Sequence, residues 1–257
     1  MTSSPVMTPA SAVAPEARRP SPDVPAPSRG LARFGAVAFG LVVLSQVGAI
    51  LASPPDAAMG HTQKIMYVHV PTAWSAFLAF FLVFVYSVRY LWGRDERNDR
   101  MALGAAEVGT ALTALTLAQG SIWGKPTWGV WWTWDPRLTT TAIMFLIYVG
   151  YLALRAFTDD HERGARWAAA VGVFGFINVP IVYMSVRWWR TIHQVQSTSS
   201  SVDPVYRIGL LVNVITFTLL VVYLMLKRAE SARLERALDA ALEARMLGRA
   251  PSSAGDR

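Results

Sequence analysis

Five tryptophans fall within twelve positions of WGKPTWGVWWTWDPRLTT, residues 123–140: Trp123, Trp128, Trp131, Trp132 and Trp134. Two more, Trp188 and Trp189, stand in SVRWWRTIHQ beside His193, and His69 stands in IMYVHVP. The chain has no cysteine. That excludes thiol redox chemistry, thiolate metal sites, iron–sulfur clusters and thioether attachment of haem to the chain itself. Histidine is what remains as a metal ligand. Neutral imidazole binds haem iron well, and two imidazoles from opposite sides fill both axial positions. Indole rings at such a place would form a shelf for a large, flat, apolar ligand. Haem also carries two propionates, which need cations in an apolar setting. Arg137 and Lys64 are the best placed for them, ahead of Lys125, Arg187 and Arg190.

Each of these residues also has a plainer reading. Tryptophans form belts at membrane interfaces, although a belt spreads over all helices and both leaflets rather than crowding one short loop. A lone interfacial histidine satisfies a local hydrogen bond, and long basic side chains snorkel to headgroup depth. Asp135 before Pro136 is an N-cap followed by proline at the first helical position. Its effect on function would then come through holding the loop in register with the next helix. Gly124, Pro126 and Gly129 read as bends that lay the tryptophan loop along the membrane surface.

Six long apolar stretches must position these residues. The chain is 53% hydrophobic and 16% charged, and a membrane-crossing helix needs roughly 20 apolar residues. The stretches run from about Leu31 to Ala52, Ala73 to Trp92, Met101 to Ile122, Leu138 to Leu154, Trp167 to Val186 and Val205 to Leu226. They lack the alternation of a membrane β-barrel strand, so the fold class is an all-α integral membrane bundle of six spans. Pro180, inside the fifth, predicts a kink. Taking the N-terminus as inside, eighteen of the 24 Lys and Arg fall in inner segments; Lys64, Lys125, Arg137, Arg187, Arg190 and Arg207 fall outside. The positive-inside rule therefore predicts cytoplasmic termini. The first outer loop then holds His61 and His69, the second the tryptophan run, and the third His193; His161 stays inside. The net charge of +7 lies where topology and anionic lipid require it and calls for no nucleic-acid partner.

Residues 1–30, rich in Pro, Ala and Ser, read as a disordered cytoplasmic tail and not a cleaved signal. Residues 31–226 form the six-span domain. Residues 227–257, with Leu234, Leu238 and Leu242 among charges, read as a cytoplasmic amphipathic helix and tail, lying on the membrane or its own bundle, or docking a partner.

The tryptophan run with its Asp135 resembles the WWD signature of the haem-handling membrane proteins of cytochrome c biogenesis. YVHVP, WDPRLT and SVRWWRTIHQ are more specific. Over residues 31–226 the chain is similar to the cytochrome c maturation protein C family (CcmC, haem exporter protein C). The resemblance implies haem b held at the periplasmic face of the bacterial inner membrane, with His69 and His193 as axial ligands and the WWD loop between the third and fourth spans as platform. It implies delivery to a periplasmic haem chaperone, cytochrome c maturation protein E (CcmE), which becomes covalently linked to haem. Association with the ATP-binding-cassette subunits CcmA and CcmB and the small protein CcmD is implied as well. Basic residues of the family fall at Arg137 and Lys64, and lysine at 64 presents a point charge where arginine offers a fork. On these grounds the chain reads as a haem-delivery protein acting with the chaperone rather than a stand-alone enzyme. His61, outside the motif, reads as a bystander. The rivals are a cytochrome c synthase (haem lyase) of the CcsA or CcmF type, a cofactor-free transporter or channel, and a b-type haem membrane protein.

Overall fold

The computed structural model describes residues 25–195 and 202–246. Most of the predicted N-terminal tail and residues 247–257 lie outside them. Among the described residues there are seven α-helices, one 3-10 turn and no β-strand: α1 (Arg29–Ala52), the turn His61–Ile65, α2 (Met66–Gly93), α3 (Glu96–Trp128), α4 (Pro136–Ala156), α5 (His161–Gly175), α6 (Asn178–Trp188) and α7 (Pro204–Met246). Six helical stretches are long and apolar enough to cross a membrane, the second including the 3-10 turn and the fifth joining α5 to α6. The expected all-α six-span bundle is therefore the fold.

Helix starts follow local chemistry. Ser28, Asp95, Asp135 and Asp160 each accept a hydrogen bond from a backbone N–H of the following turn, satisfying donors that a helix leaves unpaired at its N-terminus. The core lies where α2, α3, α4 and α5 meet, around Phe80, Val83, Met144, Tyr148 and Tyr151. Phe80 stacks on Tyr148 with centroids 3.6 Å apart. Ala79, Ala105, Ala106 and Ala168 are buried in the same cluster, and such small residues let helices approach closely where lipid gives no hydrophobic drive to associate. Away from the tryptophan-rich end, Arg155 pairs with Asp99 through both guanidinium NH groups, one at 2.9 Å.

Two boundaries differ from the sequence expectation. α2 begins at Met66, so His69 is a helical residue and not part of a loop. Pro71 is accommodated inside this helix. α3 continues to Trp128, which makes Trp123, Gly124, Lys125 and Pro126 helical and leaves only residues 129–135 as connection. The last turn of α3 is supported by Thr127 Oγ1 donating to Trp123 O at 2.8 Å and Lys125 Nζ to Gly129 O at 2.9 Å. It ends where Gly129 takes φ +80°, a left-handed conformation that glycine adopts without steric cost. Of the three predicted bends, only Gly129 therefore acts as one. The kink predicted at Pro180 separates α5 from α6 at Phe176 and Ile177. The Phe176 carbonyl, freed because proline has no N–H, instead accepts from Val179 N at 3.0 Å.

The compact body that carries the site is Ala26–Leu234. α7 runs past Leu226 without a break as far as Met246.

Candidate functional site

A cavity of about 330 Å³, within the ~300–1,000 Å³ range of small-molecule sites, opens among α2, α3, α4, α6 and the connection after α6. His69, Trp123, Trp128, Arg137 and His193 all line it. Trp74, Phe77 and Tyr183 complete much of its apolar wall. Residues from four helices and the connection after α6 thus face one space.

His69 reaches the cavity from the first turn of α2 and is 9% exposed. Its ring meets Trp123 edge to face at 5.6 Å. The imidazole also lies against the α3 backbone one turn before Trp123: a Cβ at Gly120 would stand 3.3 Å from His69 Cε1, so the absence of a side chain at 120 is what lets the ring lie there. His69 Nδ1 and Trp123 Nε1 are buried without hydrogen-bond partners. Buried polar atoms are almost always paired, and an orphaned imidazole nitrogen beside a cavity is suited to a ligand.

His193 stands on the connection between α6 and α7, half-buried. Its ring lies 5.8 Å from Trp128. Nδ1 is 2.8 Å from Gln194 O, a contact in which the ring nitrogen donates and Nε2 keeps its lone pair, as metal-ligating histidines require. Burial lowers the His193 pKa, and the Arg137 charge adds to that, against the Gln194 hydrogen bond and the Asp135 carboxylate. A lowered value keeps the ring neutral at pH 7, its ligand form.

Asp135 does two things. As N-cap of α4 its Oδ1 accepts from Arg137 N at 2.8 Å. Its Oδ2 accepts from Thr191 Oγ1 at 2.6 Å and Ile192 N at 2.8 Å. Thr191 Oγ1 in turn accepts from His193 N at 3.0 Å. The capping expected from the sequence is present, and the same buried carboxylate also fastens the histidine-bearing connection. Arg137 donates through Nη1 to the carbonyls of Val182 and Tyr183, at 2.8 and 3.3 Å. It is the one arginine or lysine among the cavity-lining residues.

Not every sequence candidate reaches this space. Trp131, Trp132 and Trp134 lie on the connection before α4, with Trp134 77% exposed. They do not line the cavity, and neither do Trp188 and Trp189, which pack edge to face on each other at 5.8 Å. Lys64 points elsewhere: its Nζ donates to Ile50 O at 2.7 Å, in the last turn of α1, where a cation complements the helix dipole. Asp135 sits behind the wall. The sequence reading missed Gly120, Trp74, Phe77 and Thr191. Thr191, two residues before His193, was within reach of a local motif argument, whereas the others sit on apolar spans with nothing to mark them.

The donor set suits haem: two imidazoles, three indoles and a guanidinium around an apolar hollow. Among the described residues no cluster of three or more His, Asp or Glu is arranged for a bare metal ion.

Comparison with known proteins agrees. The sequence profile of the family described as heme exporter protein C (CcmC) matches residues 20–244. A protein of Bradyrhizobium diazoefficiens named heme exporter protein C is 41% identical over 224 residues, covering 83% of this chain and 85% of its own. The Escherichia coli K12 protein of the same name is 36% identical over 197 residues, covering 75% and 80%. A cytochrome c biosynthesis ccmC-like mitochondrial protein of Marchantia polymorpha is 38% identical over 152 residues, covering 59% and 64%.

Proposed function

Since the chain belongs to the heme exporter protein C family, we propose that it binds haem b between His69 and His193 and presents it for cytochrome c maturation. Membership itself supports haem handling in that process by a multi-pass membrane protein. The finer reading rests on one observation: two histidines 124 positions apart in sequence, one with an orphaned buried nitrogen, line the same apolar cavity together with Trp123, Trp128 and Arg137.

The chain's residues divide the work. His69 and His193 supply neutral axial nitrogens, and Trp123 and Trp128 offer ring faces and edges to a flat macrocycle. Arg137 places a positive charge where a propionate would otherwise be uncompensated. Nothing in the set forms a covalent tether, which suits a station that must release its cargo. The recipient is a periplasmic haem chaperone of the CcmE kind, which takes haem covalently, and the ATP-binding-cassette pair CcmA and CcmB with CcmD completes the assembly. The exposed tryptophans Trp131, Trp132, Trp134, Trp188 and Trp189 then serve the rim at headgroup depth. On this reading the cavity faces the periplasm and both termini the cytoplasm, in keeping with the distribution of Arg and Lys.

The test is an absorption spectrum of the protein purified from haem-replete cells. Soret and α bands of six-coordinate haem are expected, and the His69→Ala, His193→Ala double variant should lose them. A colourless wild type, or a double variant that keeps its six-coordinate spectrum, rejects the ligand assignment.

A further inference from the structure

Pro71 stands inside α2, two residues after His69. Proline has no N–H, so the Tyr67 carbonyl, four residues earlier, loses its helical hydrogen bond. Tyr67 is 1% exposed, and in an apolar setting an unpaired carbonyl is costly. The missing donor comes from another helix. Gln46 Nε2 of α1 donates to Tyr67 O at 2.7 Å, and the same amide donates to Asn213 Oδ1 of α7 at 2.8 Å.

Asn213 is fully buried and is gripped at both ends of its amide. Oδ1 also accepts from Ser45 Oγ at 2.9 Å, while Nδ2 donates to Gly209 O at 2.8 Å. Ser45 Oγ and Thr216 Oγ1 lie 2.9 Å apart. Gly209, one turn before Asn213, abuts the Tyr67 ring, since a Cβ there would stand 3.0 Å from Tyr67 Cε1. Amides that merely joined α1 to α7 would have no need of α2. This pair ends on the one carbonyl that Pro71 leaves open, in the turn that carries His69.

We infer that Gln46 and Asn213 are positioning residues for His69. The α1–α7 pair replaces the hydrogen bond that Pro71 removes and so sets the orientation of the α2 turn bearing the imidazole. With any other residue at 71 the turn would close on its own backbone. With proline it closes only when α1 and α7 are in place. The role in ligation rests on the haem reading above; the backbone coupling does not.

The experiment uses the full-length chain in lipid nanodiscs and follows amide hydrogen exchange by mass spectrometry in peptides covering residues 66–75. Gln46→Met keeps length and apolar bulk but removes the donor; exchange there should rise roughly five- to tenfold, as losing one buried hydrogen bond implies. Asn213→Leu should act in the same direction. Pro71→Ala restores an N–H, so the Gln46→Met, Pro71→Ala pair should return to the wild-type rate. If Gln46→Met does not accumulate, Gln46→Asn, with the amide drawn back by a methylene, carries the same comparison. Unchanged exchange in the Gln46 variant, or failure of Pro71→Ala to reverse its effect, overturns the inference. In haem-loaded protein Gln46→Met should also shift the low-spin electron paramagnetic resonance signals while leaving haem content near wild type. A wild-type spectrum without axial histidines removes the haem reading and leaves the exchange result standing; an intact bis-histidine spectrum with unmoved exchange removes this inference alone.

Discussion

The two histidines meet at one cavity from opposite kinds of structure. His69 belongs to the start of a 28-residue helix, is almost wholly buried, and lies against Trp123 and the bare backbone at Gly120 on α3. His193 sits on a connection, half-buried, and is held indirectly through Thr191 and Ile192 by Asp135. One is fixed by packing and the other by a few hydrogen bonds. A site that must hold a large ligand and then yield it gains from that asymmetry: the packed side keeps its geometry through the cycle, and the fastened side can let go at the cost of a small number of bonds.

The largest effect should come from the histidines themselves. His69→Ala and His193→Ala should each lower the Soret absorbance per protein, and added imidazole should restore His193→Ala at a lower concentration than His69→Ala. The reason is access: the His193 side is open, whereas the His69 hollow is enclosed by α2 and α3. Equal rescue of the two variants would break the comparison.

Asp135 should come next. Asn caps a helix as well as Asp, so Asp135→Asn should keep the α4 cap and lower the melting temperature only by the few degrees that the lost bonds to residues 191 and 192 cost. An amide cannot reproduce both the cap and two accepted bonds from residues 191 and 192, so haem affinity should fall about tenfold, in the range for outer-shell partners. Asp135→Ala should lose the affinity and also about 1 kcal/mol of helix capping. If Asp135→Asn binds haem like wild type, the carboxylate is a cap and nothing more.

The smallest effect should be at Gly120, and it should carry opposite signs in two measurements. Gly120→Ala in a helix interior gains about 1 kcal/mol of helix propensity, so the melting temperature should rise. The new methyl, 3.3 Å from His69 Cε1, should push the ring by a few tenths of an ångström and weaken haem retention severalfold. A variant with unchanged retention would show that the His69 side has slack, contrary to the packed arrangement described here.

How much was legible beforehand depended on the range of the interaction. The number of spans, the WWD residues and both histidines follow from composition and local motif, and the kink near Pro180 follows from a missing N–H. The mistakes were also local in origin. Pro126 reads as a bend but is carried inside α3, and His69 reads as a loop residue although α2 begins before it and continues through Pro71, where a donor on α1 replaces what proline lacks. Of the tryptophans expected to form one wall, Trp123 and Trp128, on the last turns of α3, line the cavity, joined there by Trp74 from α2.

From the amino-acid order alone came the membrane class, since twenty apolar residues in a row admit few other solutions, and the histidine-and-indole chemistry, since the chain has no cysteine and its histidines flank the tryptophan clusters. Tertiary structure decided which of those residues share a space: helix phase, the reach of Gln46 to a carbonyl 21 positions away and the grip of Asp135 on a segment 56 positions on are contacts between distant parts of the chain, and no local pattern encodes the distance between them.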